Sequence, residues 1–286
     1  MRIVRIIMVV FSILAASVFG YTLYNRRVAD DKEAPVITAD ADSLMVSITA
    51  TDEELLKGMK ANDNLDGDIT NTLVVLSKSK FISKGVLHAN YAAFDSSKNV
   101  GTYTREITYV DYVSPRFSIS SPLRFDSSQT NRDFLKSIRA TDCLDGDITR
   151  QIKLSYGNTT AVSANSSVRE FKVQVTNSCG DTSELELTAS IEAYDDYANP
   201  APALRDYVIY VPRGGVLDLR SNIIGVWSAG KVKSFDDYKL SMMRDVTISN
   251  NGLDLKTPGI YTVEYKLHDE LGAALGTAEL IVVVEE

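Results

Sequence analysis

The chain has 286 residues, 44% hydrophobic and 24% charged, the balance of an ordinary folded protein rather than a disordered one. Its 30 basic and 38 acidic side chains give a net charge of −8, and four of the arginines (Arg2, Arg5, Arg26 and Arg27) crowd into the first 27 residues, where there is no acid. The remainder is therefore strongly acidic and lacks the cationic face that neutralises phosphates, so no nucleic-acid partner is expected.

The first predicted element is a helix over the 19 uncharged residues Ile6 to Tyr24. At about 1.5 Å per residue it spans about 28 Å, close to the hydrocarbon core of a bilayer. Arginines flank it on both sides, and Tyr21 and Tyr24 sit where an interfacial aromatic belt would lie. A cleaved signal peptide is the competing reading, with Val18-Phe19-Gly20 as a poor cleavage site. The uncleaved anchor fits better. The expectation is a single-pass cell-membrane protein: residues 1–27 form the anchor with a short cytoplasmic stub, and the large domain lies outside the cytoplasm. Residues 28–33 read as a polar linker.

After the linker the chain repeats itself. APVIT at Ala34, SPRFSIS at Ser114 and PAPALRDYVIYV at Pro200 open three segments, 34–113, 114–198 and 199–286. Short helical turns are expected at DEELLKGM, with Asp52 as the N-cap, and at RDFLKSI and LRSNIIGVW. Two later words are nearly identical: NLDGDIT from Asn64 and CLDGDIT from Cys143. Setting Asp68, Asp147 and Asp245 in register also aligns Asp95, Asn177 and Asp269. Each of these begins a tight turn, with Lys98, Gly180 or Gly272 three residues on. Around the turns the pattern alternates as in half-buried strands: Leu185, Leu187, Ala189 and Ile191 on one face, Tyr261, Val263, Tyr265 and Leu267 on another. Many short strands at this spacing predict an all-β sandwich architecture. Trp227 is expected as a core plug of the third segment.

The order of these words resembles the bacterial Ig-like domain family of Gram-positive surface proteins, a module also named for an insecticidal crystal protein. Segment one carries most of the likeness (APVIT, ANDNLDGDIT, YAAFDSSKN, GTYTREITYV). Segment two keeps ATDCLDGDIT and TNSCGDTSELELT, and segment three keeps only TPGIYTVEYKLHDELGAA. The resemblance implies tandem Ig-like β-sandwich domains behind an N-terminal transmembrane helix, used for binding, adhesion or spacing. The extracellular ligand, a protein or a glycan, is not specified.

In such a sandwich the loops holding Cys143 and Cys179 would meet at one end, which outside the cytoplasm implies a disulfide. Closing that 37-residue loop would contribute about 3.8 kcal/mol by chain entropy. Asp63, Asp66, Asp68 and Asp95 gather toward one end of segment one. Two readings stay open for them: a calcium site built from loop carboxylates, and a turn whose carboxylates cap local N–H groups, with glycine at positive φ. No other cofactor is expected. The Asp-Gly-Asp word recurs once in each of the first two segments, the two histidines, His88 and His268, lie in strand patterns, and no nucleophile elbow or phosphate loop appears. The chain is therefore read as a non-catalytic surface protein. The alternative is an accessory subunit of a cell-envelope synthesis or export complex.

Overall fold

Uninterrupted apolar residues without proline extend the first helix, α1, over Arg2–Ala29 in the computed structural model, which describes residues 2–29, 31–127, 131–163, 166–193 and 198–286. Its stretch Arg5–Arg26, 22 residues, is the one helix among the described residues long and apolar enough to cross a membrane. None of that stretch is buried in the protein, and Phe11 is 75% exposed. Two of the hydroxyls inside it turn back onto the helix: Ser17 Oγ donates to the Ile13 carbonyl and Thr22 Oγ1 to that of Phe19, both at 2.8 Å. Such bonds leave little polar surface facing outward.

Beyond the linker the described residues form an all-β fold with short helical turns, as the alternation predicts. The chain divides into two compact units, Met1–Val113 and Ser114–Glu286. In the first unit, β1 (Val36–Ala39), β3 (Met59–Asp63) and β4 (Gly67–Asp68) form one sheet, in the order β1-β3-β4. The second sheet holds β2 (Ser43–Val46), β5 (Val74–Lys78), β6 (Val86–Phe94) and β7 (Val100–Tyr109), in the order β2-β7-β6-β5. Strand β2 runs parallel to β7 and the other pairs are antiparallel. Leu55, Leu87, Tyr91 and Ile107 fill the space between the sheets, and Tyr91 Oη donates to the Leu55 carbonyl at 3.0 Å. The short helix α2 (Asp52–Leu55) is capped by Thr51, one residue earlier than expected. Thr51 and Glu54 form a reciprocal capping box, leaving Asp52 in the first turn, where its charge suits the helix dipole.

The second unit repeats this sheet pair twice. β8 (Arg116–Ile119), β10 (Ile138–Asp142) and β11 (Gly146–Asp147) make a three-stranded sheet beside β9 (Arg124–Asp126), β12 (Lys153–Ser163), β13 (Ser166–Thr176) and β14 (Thr182–Glu192). Helix α3 (Asn131–Lys136) crosses between β9 and β10. Then β15 (Ala201–Leu204), β17 (Ile223–Ser228) and β18 (Lys231–Lys233) accompany β16 (Val208–Pro212), β19 (Val246–Ser249), β20 (Gly259–His268) and β21 (Ala274–Glu285). Helix α4 (Met242–Asp245) precedes β19. In each copy the second strand pairs in parallel with the last, as β2 does with β7. Strand β14 buries Leu185, Leu187 and Ala189 while Glu184 and Glu186 face outward or half outward, which is the alternation read from the sequence.

The two sandwiches of this unit share one continuous core, running from Phe117, Phe134 and Phe171 to Val263, Tyr265 and Val282. Their seam carries Tyr207 N–H donating to the Ile119 carbonyl (3.0 Å), Phe117 N–H donating to Tyr210 Oη (2.9 Å) and an Arg116–Glu285 ion pair. Burial pushes the Tyr207 hydroxyl up to about 12. Trp227 lies outside this core: it is half-buried on β17, next to the short β18, and its Nε1 has no hydrogen-bond partner. On β17 it stands between Ala201 of β15 and Val232 of β18.

Candidate cation site at the Asp-Gly-Asp loops

Asp-Gly forces a tight reversal between β3 and β4, and Gly67 takes φ +71°, as Gly146 does between β10 and β11. The carboxylates around each reversal then find fixed partners. In the first copy, one oxygen of buried Asp63 (Oδ2) accepts the N–H groups of Leu65 (2.8 Å) and Asp66 (2.9 Å). Asp66 reaches across to the turn after β6 and accepts from Ser96 N–H (2.6 Å) and Ser96 Oγ (2.9 Å). Asp68 accepts Thr70 N–H at 3.0 Å, and bonding to Thr70 through its hydroxyl and its backbone holds the Asp68 carboxyl below the usual carboxylate range. Asp95 accepts Asn99 N–H and Asn99 Nδ2–H, both at 2.7 Å.

The second copy is built the same way. Asp142 Oδ1 accepts Leu144 N–H (2.9 Å) and Asp145 N–H (3.0 Å), Asp145 accepts Ser178 N–H (2.6 Å) and Oγ (2.7 Å), and Asp147 accepts Thr149 N–H (2.9 Å). Thr149 lowers the Asp147 carboxyl as Thr70 lowers that of Asp68. The turn-and-cap reading therefore accounts for Asp66 and Asp68, whose oxygens face loop N–H and hydroxyl groups.

The four expected residues do not converge. Instead Asp63 and Asp95 are joined by Asp31, from the linker, and one carboxylate oxygen of each lies within 4.8 Å of the other two. Asp63 and Asp95 are 3% and 7% exposed. The linker is drawn in by Asn99 Nδ2, which donates to the Asp31 carbonyl (3.2 Å), and by Asn64 Nδ2, which donates to Glu33 (2.8 Å). None of the ion pairs found among the described residues includes Asp31, Asp63 or Asp95. The sequence carried one faint signal for Asp31: it precedes Pro35 by four residues, as Asp111 precedes Pro115. Asp111, however, is engaged within the first unit by Ser47 Oγ (2.6 Å) and Ile48 N–H (2.8 Å).

The expected bond between Cys143 and Cys179 is not formed in the structure. The loops that carry the two residues do meet, as the sandwich implies, and the carboxylate bonds of Asp145 to Ser178 and of Asp142 to Asn177 cross the junction. A separate concavity of about 360 Å³ lies in the second unit, bordered by Leu123, Arg124, Ser190, Tyr207 and Thr277. Of its charged members, Arg124 and Glu192 pair with each other at 2.7 Å, and Glu279 accepts from Thr188 Oγ1 at 3.3 Å.

No protein-family model matches the chain. Over 217 residues it is 24% identical to the pesticidal crystal protein Cry22Aa of Bacillus thuringiensis, an alignment covering 75% of this chain and 28% of that protein, so the chain spans less than a third of that relative. Among solved structures it is similar to Drosophila N-cadherin EC1-3 (TM-score 0.30, 13% identity, 90% of each chain). It is also similar to the CBM51-2 and INT domains of Clostridium perfringens ZmpB (TM-score 0.22, 16% identity, 50% of this chain and 29% of that one).

Proposed function

We propose that the chain is a membrane-anchored surface protein whose Ig-like sandwiches, 34–113, 114–198 and 199–286, serve as non-catalytic binding or spacing modules outside the cytoplasm. One observation carries this reading. A 22-residue apolar helix with none of its surface buried precedes β units whose own cores are filled. Leaving that many large side chains in water would cost about 1.5–3 kcal/mol for each one that a bilayer could bury, so lipid is the environment that suits α1. The acidic, hydrogen-bonded loops suit an aqueous surface.

The test is extraction and topology in the cell. The full chain should stay with the membrane pellet through alkaline washing, and protease added to intact, wall-stripped cells should digest the β units. Release by alkali, or full protection from protease, would overturn the proposal. Replacing Ile6–Tyr24 with an unrelated anchor should leave surface binding intact. Loss of activity at normal surface abundance would favour the accessory-subunit role, in which α1 makes specific contacts inside the bilayer.

A further inference from the structure

We propose that Asp31, Asp63 and Asp95 bind one divalent cation of the calcium class, which fastens the segment following α1 to the first sandwich. The first observation is an orphaned atom. Asp63 is 97% buried, its Oδ2 caps the 65–66 turn, and its Oδ1 has no hydrogen-bond partner. A buried carboxylate oxygen without a donor is costly, and groups of this kind are paired or coordinate metals.

The second copy of the loop supplies the control. There the equivalent carboxylate is Asp142, one oxygen again caps the turn, and the other accepts a hydrogen bond from Asn177 Nδ2 at 3.1 Å. The residue at the position of Asn177 in the first copy is Asp95. A neutral amide donor has thus been replaced by a second carboxylate, one oxygen of which lies within 4.8 Å of an oxygen of Asp63, and Asp31 adds a third. Three carboxylates brought this close, two of them buried, repel one another unless a cation lies between them. Two oxygens up to 4.8 Å apart both reach an ion at about 2.4 Å, the calcium–oxygen distance, and calcium accepts the irregular set of carboxylates and loop oxygens available here. The first copy is built for a cation where the second is built for an amide.

Because Asp31 lies in the linker, the ion would couple cation concentration to the stiffness of the joint between α1 and the first sandwich. This role rests on the extracytoplasmic placement proposed above, where calcium is abundant, but binding itself can be measured without that assumption. The full chain in detergent micelles, stripped with chelator, is titrated with calcium chloride in a calorimeter, and its cleavage after Lys32 by a lysine-specific protease is followed by mass spectrometry. A dissociation constant of about 0.1–1 mM is expected. Calcium at ten times that constant should slow cleavage after Lys32 about tenfold, by suppressing the open state of the linker. Asp95→Asn copies the second loop and should fold, yet lose both the heat and the protection; Asp147→Asn, in the second copy, should change neither. No heat at 5 mM calcium, or heat retained in both Asp95→Asn and Asp63→Asn, would overturn the site. Heat with unchanged cleavage after Lys32 would overturn the fastening of the linker.

Discussion

Lys98 is the residue at which the register between repeats becomes a measurable quantity. It follows Asp95 by three, as Gly180 follows Asn177 and Gly272 follows Asp269, and all three adopt positive φ (70°, 90° and 86°). A lysine held there carries steric strain of about 1–2 kcal/mol that glycine lacks, against about 0.5–1 kcal/mol for glycine's extra freedom in the unfolded chain. Lys98→Gly should therefore stabilise the first sandwich by up to about 1.5 kcal/mol, read as a raised melting temperature; a fall would show that the exposed lysine side chain contributes more than its backbone costs. This position was legible from sequence because turn chemistry repeats at fixed spacing. Arg105 was not. It lies 2% exposed in β7, where the alternation calls for an apolar residue, and the matching strand of the second sandwich has Leu187. It is tolerated because Asp40 and the Lys57 carbonyl accept from its guanidinium at 3.0 and 2.9 Å. Gly58 makes room: a Cβ there would collide with the Asp40 carboxylate.

At the scale of elements, the sheets were readable and the latches between loops were not. Alternation placed β14 and β20 because a strand in a sandwich has one wet face, and that rule needs only local sequence. The bond from Asp145 to Ser178 spans 33 residues and forms only once the sheet holding β10 and the sheet holding β13 pack together, so nothing local announces it. The same holds for Asp66 and Ser96 in the first copy. These paired bonds tie the Asp-Gly-Asp loop to the turn between the last two strands of its sandwich, the function the sequence had assigned to a sulfur bridge in the second copy. A double-mutant cycle of Asp145→Ala and Ser178→Ala should give a coupling of about 0.5–1.5 kcal/mol, at the low end for a carboxylate as exposed as this one. Hydrogen exchange across 143–148 should speed up in Asp145→Ala. A coupling near zero would reduce the latch to a contact without weight.

For the whole molecule, the sequence suggests three equal modules, whereas packing joins 114–286 into one unit and keeps 1–113 as another. The difference lies at the seam, where β8 and β16 exchange Phe117, Tyr207 and Tyr210 contacts that no repeat pattern encodes. Cores that share no residue should unfold separately, and the smaller first sandwich, with proportionally less buried surface, should melt first. Trp227, the single tryptophan, lies in the second unit, so its fluorescence follows that unit alone. Calorimetry should therefore show two transitions, with tryptophan fluorescence tracking the upper one. Calcium at ten times its dissociation constant adds about 1.4 kcal/mol to whichever unit binds it. That corresponds to a shift of several degrees for a sandwich of this size, and it should appear in the lower transition only. A single transition seen identically by both probes would mean that the two units cooperate. A calcium-dependent rise in the tryptophan signal would move the cation out of the first sandwich, against the contrast between Asp95 and Asn177 on which its placement depends.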